Sequence, residues 1–476
     1  MTDITQVCNQ VKRKISPTPK LRRLVLTKAE EIRNSVDREC SKVGFPAEVR
    51  MEGSVAKDTW LRSNADVDIF MRVSPELTKE QLRNVCLPIA RRALKPNKIV
   101  ERYAEHPYVE STVKLGNKLA LRVNVVPCYN VERGNWLSAT DRSPFHTEYV
   151  LKHLAVNQRD EVRLLKAFLR GIGSYGADIK TGGFSGMLCE TLIAARAEFR
   201  RVVEDFAKWQ SSNFIDVEGY YKERSNEVHR IFNEPLVVID PVDQGRNLGA
   251  AVREEQLWNF VAASRHLLKK PTTTLFTEPK PRPLTVREFQ RALRDRGSTL
   301  LCVVAGKVDA VVDILWSQLY RTERALVTLL ENNDFQILRS LAWSDEKSLN
   351  VILLELEEAE LASSKKHLGP PIHRARESAS FLSKHMKNPR TVAGPWIDGE
   401  RWAIARKREN TSAVRLLSSS LKSGGKEIGV ASLFTEHFKN RPLILQNESI
   451  GKLLTRNEEF AKALRTYLTG RPVWLD

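Results

Sequence analysis

Apolar residues in the first 150 positions switch between helical spacing and strict alternation. Positions three and four apart carry apolar residues in helices, whereas every second position does so in half-buried strands. The pattern predicts helices over 21–43, 56–61 and 74–94, and strands over 47–51, 65–73 and 119–129. Strands interleaved with helices predict an α/β or α+β domain in this part of the chain, and we expect an α+β fold for the protein.

The rest of the chain has a different pattern. It predicts long helices over 150–172 and 186–210 and a strand over 235–240. A proline-rich stretch at 271–283 predicts a boundary. Helices over 285–296, 314–332 and 375–386 and strands over 298–305 and 350–356 then predict a βαβ-type domain and a further segment. We therefore expect four parts, over 1–150, 151–268, 269–370 and 371–476.

The composition of the chain restricts the class of protein further. The chain has 476 residues, of which 42% are hydrophobic, enough for several packed cores. No apolar run approaches the ~20 residues that a membrane span needs, and the first residues lack the apolar core of a signal peptide. We therefore expect a cytoplasmic protein without a membrane segment. The six cysteines form no CxxC pair, which argues against a zinc ribbon or a disulfide scaffold.

The charge points to a polyanionic partner. Lys and Arg number 76 against 58 Asp and Glu, a formal net charge of +18. The last 76 residues carry twice as many basic as acidic side chains. Nucleic acid is the commonest partner of such a protein, and a merely solvated basic surface is the alternative.

Two carboxylates give the sharpest chemical signal. Asp66 and Asp68 lie two residues apart on a predicted strand, so both point to the same face. Adjacent anions repel each other unless a divalent cation such as Mg²⁺ neutralises them. Gly53 and Ser54 precede them and can offer backbone N–H groups and a hydroxyl to phosphates. The pattern favours a metal–nucleoside triphosphate site over a solvated strand face.

Such a site usually includes a third carboxylate on a neighbouring strand, which would help to remove the proton from an attacking hydroxyl. The strand over 119–129 is the expected supplier, but it carries Asn124 and no acidic residue. Asparagine offers a carbonyl oxygen to a metal ion but is neutral and accepts no proton near pH 7.

Several motifs make the chain resemble the archaeal, class I CCA-adding enzymes, which are tRNA nucleotidyltransferases of the polymerase-beta superfamily. The resemblance covers almost the whole chain and includes GSVAKDTW (53–60), ADVDIF (65–70), RYAEHPYV (102–109), VNVVPCY (123–129), DRSPFH (141–146), EVRLLKAFLR (161–170), SYGADIKTGGFSGMLCE (174–190) and VVIDPVDQGRNLGAA (237–251). It implies a nucleotidyltransferase head, a helical neck, an α/β body and a tail. It also implies addition of C, C and A to the tRNA 3′ end from CTP and ATP, without a template and with Mg²⁺. Relatives often form homodimers, which we carry as an expectation.

The resemblance also implies roles for single residues. Asp66, Asp68 and Asn124 occupy the catalytic metal positions, and Asn124 stands where the family has an aspartate. Gly53, Ser54 and Lys57 would hold the triphosphate. The remaining nucleotide-binding positions are Ser143, His146, Lys166 and Tyr175 for triphosphate or sugar, and Arg246 for the base.

Asn124 leaves three interpretations open. The chain is a variant altered from aspartate to trap a substrate complex, a divergent enzyme of weak activity, or a protein that binds tRNA or nucleotide without catalysis. The otherwise intact motifs favour the first two. A nucleotidyltransferase that tails other RNAs remains a further alternative.

Overall fold

The chain folds into two compact units. The computed structural model describes residues 3–103, 107–115, 119–439 and 442–475. One unit comprises Met1–Lys280 and Pro472–Asp476, and the other comprises Pro281–Arg471. Both mix helices and sheets, as the α+β prediction requires. The division into four parts stays a prediction.

The first unit carries most of the predicted site. Its helices and strands are α1 (Ile4–Ile15), α2 (Pro19–Lys42), β1 (Ala47–Glu52), α3 (Gly53–Ala56), β2 (Asp66–Val73), α4 (Lys79–Gln81), α5 (Leu87–Ala93), β3 (Ile99–Tyr103), β4 (Pro107–Leu115), β5 (Leu119–Tyr129), α6 (Arg142–His153), α7 (Gln158–Gly171), α8 (Gly186–Arg196), α9 (Phe199–Ala207), β6 (Phe214–Ile215), α10 (Val228–Ile231), β7 (Val237–Asp240), β8 (Asp243–Asn247) and α11 (Glu254–Lys269).

The second unit continues the numbering. It contains α12 (Val286–Arg296), β9 (Thr299–Ala305), α13 (Val312–Asn332), β10 (Ile337–Ser344), β11 (Asn350–Leu356), β12 (Ser364–Pro371), α14 (Ala375–His385), β13 (Thr391–Asp398), β14 (Arg401–Lys407), α15 (Ala413–Leu421), α16 (Ser432–Phe438), β15 (Leu443–Gln446), α17 (Gly451–Leu454) and α18 (Glu458–Thr469).

A five-stranded sheet of order β1-β2-β5-β4-β3 positions the site. β2 and β5 run parallel, and the other neighbours are antiparallel. Val67 and Ile69 of β2 are buried in a core that α2 and α5 also line. Since side chains alternate between the faces, Asp66 and Asp68 lie on the other face, away from this core. The alternation in the sequence thus separates a face in the core from a face that carries the two aspartates.

Several predicted helices differ from the observed ones. The helix predicted over 56–61 is absent, because α3 ends at Ala56 and Asp58 adopts a φ of 52° in a turn that leads to buried Trp60 and Leu61. The helix predicted over 186–210 is interrupted at Ala197, whose φ is 66°. Apolar periodicity continues across such breaks, so it does not reveal them.

Three further segments differ from the predicted helices. The stretch 150–172 is divided between α6 and α7, and 74–94 contains a π-helical turn between α4 and α5. α1 was not predicted, although its buried residues have helical spacing.

The predicted βαβ unit of the second unit is wrong in one strand. The predicted strand over 350–356 is β11, which pairs antiparallel with β9 and with β10 in a sheet of order β10-β11-β9-β15. The strand that runs parallel to β9 after α13 is β10, which was not predicted. Spacing along the sequence does not show which strands are paired or in which direction.

All six cysteines are buried and free. They lie in four buried clusters: Cys8 and Cys189 in one, Cys40 and Cys86 in the core of the five-stranded sheet, Cys128 in a small cluster with Phe70 and Val126, and Cys302 in one of the second unit. None of the helices described reaches the combination of length and hydrophobicity needed to cross a bilayer.

Candidate active site

The two aspartates meet β5 at two matched positions. In the parallel register, Asp66 lies opposite Arg122 and Asp68 lies opposite Asn124. Register partners share a face of the sheet, so all four side chains lie together. Arg122 donates from Nε to Asp66 Oδ1 at 3.1 Å and from Nη2 to Asp66 Oδ2 at 2.5 Å. The predicted metal positions Asp66, Asp68 and Asn124 are therefore adjacent.

Asn124 holds Asp68 by its amide. Its Nδ2 donates to Asp68 Oδ1 at 2.8 Å, and its own buried Oδ1 has no hydrogen-bond partner among the described residues. Burial raises the pKa of Asp68 to about 6, against the effect of the Asn124 hydrogen bond. Two carboxylates and an unpartnered amide oxygen are ligands of the type that Mg²⁺ prefers, so these residues fit a divalent cation. Within the described ranges, no group of three or more His, Cys, Asp or Glu side chains has metal-site geometry.

The Gly53–Ser54 turn lies against the second aspartate. Gly53 begins α3 with a φ of 74°, a left-handed conformation that glycine adopts without a steric penalty. A Cβ at this position would lie 2.1 Å from Asp68 Oδ2. Only a residue without a side chain permits this close approach. Ser54 is half-buried at the next position in α3.

Lys57 and Lys166 share a single buried carboxylate. The two Nζ atoms lie 2.5 Å and 3.1 Å from the Oε2 and Oε1 atoms of Glu190, respectively. Thr59 Oγ1 donates to Glu190 Oε1 at 2.5 Å and accepts from Lys166 Nζ at 3.1 Å. We call Lys57, Thr59, Lys166 and Glu190 the lysine cluster. Two ammonium groups facing one carboxylate leave a buried excess of positive charge within it.

The electrostatics of Glu190 follow from this packing. Burial alone would raise the pKa of Glu190, but the charges of Lys57 and Lys166 outweigh burial and lower it to about 2. Glu190 is therefore ionised at any pH at which the protein functions. It holds both lysines next to the Gly53–Ser54 turn that opens α3.

A cleft of about 570 Å³ contains three more of the predicted residues. Ser143, His146 and Arg246 line it together with residues of α8 and β8. Fully buried Asp240 faces His146 Nε2 at 2.9 Å and accepts from Arg246 Nη1 at 3.0 Å. Burial lowers the pKa of His146, so its imidazole is neutral near pH 7. Asp240 thus orients both an imidazole and a guanidinium toward the cleft.

Tyr175 lies between the lysine cluster and this cleft. A Cβ on Gly186 would lie 3.4 Å from Tyr175 Oη and 3.6 Å from Lys166 Nζ. The neighbours of Gly186, Ser185 and Met187, line the cleft. Arg170 stacks over the Tyr175 ring at 5.2 Å. Seven of the eight predicted nucleotide-binding residues therefore fall into the glycine–serine turn, the lysine cluster and the cleft, and Tyr175 lies between the last two.

Three residues at the site had no role in the prediction: Arg122, Thr59 and Glu190. Arg122 lies two residues before Asn124, so strand alternation could have placed it on the same face. Glu190 lies within a quoted motif, but nothing in the sequence shows that it meets Lys57, 133 positions away. Residues 104–106 of the motif RYAEHPYV, with His106, lie outside the described residues.

Family models match most of the chain. A model described as "Nucleotidyltransferase domain" matches residues 30–154, and "tRNA nucleotidyltransferase, second domain" matches 160–277. "CCA-adding enzyme, C-terminal domain" matches 296–438.

Solved structures show only distant likeness. E. coli MS115-1 CdnC with ATP is 17% identical with a TM-score of 0.43, and covers 58% of this chain and 95% of its own. Cid1 poly(U) polymerase with Mg and 3′-dATP is 15% identical with a TM-score of 0.43, and covers 58% of this chain and 98% of its own.

Several archaeal proteins are similar over nearly the full length. The CCA-adding enzyme of Haloarcula marismortui is 33% identical over 480 residues, which cover 98% of each chain. That of Methanosarcina acetivorans is 35% identical over 87% of this chain and 89% of its own. That of Methanopyrus kandleri is 30% identical over 99% of this chain and 98% of its own. Identity of this extent, together with the paired aspartates and the glycine–serine turn, shows that the chain belongs to the CCA-adding enzymes, a family of tRNA nucleotidyltransferases.

Proposed function

We propose that this enzyme adds C, C and A to the 3′ end of tRNA, taking the nucleotides from CTP and ATP and releasing pyrophosphate. The contact of the Gly53 turn with Asp68 carries the proposal, because it sets a phosphate-binding turn beside a pair of carboxylates. The reaction needs the triphosphate and the attacking hydroxyl to be aligned while negative charge is neutralised. No nucleic-acid template is required.

Each part of the site then has a task. Asp66, Asp68 and Asn124 would hold Mg²⁺, which when bound neutralises charge on the triphosphate. Ser54 and the Gly53 turn donate hydrogen bonds to phosphate oxygens. Lys57 and Lys166 offer the positive charge that Glu190 leaves unbalanced.

The cleft receives the nucleoside. Ser143 and Tyr175 are placed to contact sugar or phosphate. Arg246 presents a planar fork of donors to the base, and Asp240 fixes its direction. Neutral His146 completes this wall of the cleft as a hydrogen-bonding group rather than a cation.

Changing Asn124 to aspartate is the direct test of this proposal. The variant should extend tRNA about 10²-fold faster, since a carboxylate at this position accepts the proton that asparagine does not. The measurement is incorporation of labelled CTP and ATP into tRNA that lacks its CCA end, with Mg²⁺. Asn130→Asp adds the same charge beyond the end of β5, next to Arg72, and should leave the rate unchanged.

The outcomes separate the alternatives. Addition that stops after C, C and A supports the proposal. Continued addition of one nucleotide to any RNA supports an RNA-tailing enzyme instead. If neither protein incorporates nucleotide although both bind tRNA, the chain is a tRNA-binding relative without activity, and the lack of a carboxylate at position 124 is not the cause.

A basic cavity in the second unit supports tRNA binding. It measures about 430 Å³ and is lined by β12, β14, α14 and their connections. Six cationic side chains face it against two carboxylates: Lys365, Lys384, Arg390, Arg406, Lys407 and Arg408 against Asp334 and Glu409. Phosphate groups of tRNA are the anions that such a surface fits.

Removing two of these charges should weaken tRNA binding in a salt-dependent way. Lys384 and Lys407 are exposed, so Lys384→Gln/Lys407→Gln should fold normally. Each lost phosphate contact reduces the slope of log affinity against log salt by about 0.7–0.9. Filter binding at several salt concentrations measures this slope. Lys422→Gln/Lys452→Gln removes two exposed lysines that do not line the cavity, and an equal change in that variant would contradict the assignment.

A further inference from the structure

Arg122 is held beside one catalytic carboxylate by the register of the sheet. It lies opposite Asp66 in the parallel pairing of β2 and β5. Both Nε and Nη2 donate to the Asp66 carboxylate. The backbone pairing fixes these two residues as neighbours, so the guanidinium of Arg122 can reach the Asp66 carboxylate.

The neighbouring side chains hold too little negative charge for two divalent cations. Asp66 and Asp68 together carry two negative charges, and Asn124 carries none. The positive charge of Arg122 offsets one of the two. Glu110 lies opposite Asn124 on β4, but Arg102 Nη2 donates to it at 2.9 Å and neutralises it. Two divalent cations a few ångströms apart repel each other strongly and depend on shared anionic ligands. The anionic ligands described here suffice for one divalent cation.

We propose that the Arg122 guanidinium supplies, beside Asp66, the positive charge that a second divalent cation would supply, so that the site takes up one divalent cation with each nucleotide. A guanidinium has five N–H donors, and Asp66 occupies only two of them. The Arg122 side chain is 52% exposed, so the others are accessible to a phosphate or a 3′ hydroxyl. The inference rests on the proposed function for the identity of the nucleotide.

A purely structural role for Arg122 gives different expectations. A half-exposed arginine that only pairs with Asp66 would leave the number of bound cations to the other ligands, and its loss would change little. The number of cations bound per nucleotide therefore distinguishes the two roles, independently of tRNA extension.

The test is equilibrium dialysis of Mn²⁺, read by electron paramagnetic resonance, against the full-length protein saturated with the α,β-methylene analogue of CTP. The analogue is kept at equal concentration on both sides. We expect one Mn²⁺ per bound nucleotide, and two would overturn the inference. The double variant Asn124→Asp/Arg122→Gln gains a carboxylate and loses the guanidinium. It should bind two Mn²⁺ per nucleotide.

Extension of tRNA is measured alongside. Arg122→Gln should lower it about 10²-fold, the size expected for loss of one charge-stabilising donor. Arg91→Gln removes an arginine of similar exposure that pairs with Glu101 instead, and it should not lower the rate of tRNA extension. Where the chain extends tRNA, an unchanged rate in Arg122→Gln would also overturn the inference. If the unaltered chain binds one Mn²⁺ with the analogue but never extends tRNA, the proposed function fails while the inference stands.

Discussion

Gly53→Ala is expected to lower the rate of CCA addition by about 10²-fold. The added methyl group would lie 2.1 Å from Asp68 Oδ2, so the carboxylate must move. Displacement of a reacting group by about 1 Å is enough for a loss of this size. The comparison is single-turnover incorporation of CTP by the variant and by the chain without the substitution, at saturating nucleotide.

Gly44→Ala is the control that distinguishes the steric clash with Asp68 from the effect of backbone strain. Gly44 has a φ of 64°, close to the 74° of Gly53, but a Cβ there meets nothing within 4 Å. Both variants should lose roughly 1–2 kcal/mol of stability from an alanine in the left-handed region. Only Gly53→Ala should lose activity. Equal rates for the two variants would show that the position of Asp68 does not limit catalysis.

Glu190→Gln is expected to destabilise the first unit by about 3–5 kcal/mol. The change removes the only negative charge in the lysine cluster and leaves Lys57 and Lys166 buried without a carboxylate. Removing one partner of a buried ion pair costs this much because the other charge remains desolvated. Urea unfolding followed by circular dichroism measures the difference. Glu204→Gln breaks an exposed pair with Arg200 and should change stability by less than about 0.5 kcal/mol.

The pH dependence of this difference follows from the pKa of Glu190. It falls from an ordinary value of 4.5 to about 2 on folding. A lowered pKa contributes stability that is fully present above the unfolded value and lost as the pH falls through the folded one. The loss in Glu190→Gln should therefore be the same at pH 7 and at pH 6. A difference that shrinks between those two values would contradict the assignment.

The strand pattern correctly predicted that Asp66 and Asp68 share one face of the sheet. Alternation around Asp66 and Asp68 and on the strand with Asn124 follows from burial of every second residue, which a sequence shows directly. The pairing of those strands was not predictable, because register depends on contacts between distant segments. Arg122 opposite Asp66 is a consequence of that register.

Long-range polar contacts were the least predictable part of the site. Lys57 and Lys166 were expected to contact phosphate, and the structure adds that Glu190 binds both. A carboxylate on α8 meets a lysine that follows α3 only through tertiary packing. The spacing of residues along the chain does not predict such a long-range contact.

The buried cysteines make local opening of this protein chemically visible. Burial raises the pKa of each thiol, to about 11 for Cys8 and about 12 for Cys86 and Cys189. A thiol that is both inaccessible and protonated does not react with alkylating reagents. Each cysteine that becomes labelled over time therefore reports the opening of its own core. Mass spectrometry of alkylated peptides would rank these cores by the free energy of opening, with no label introduced by mutation.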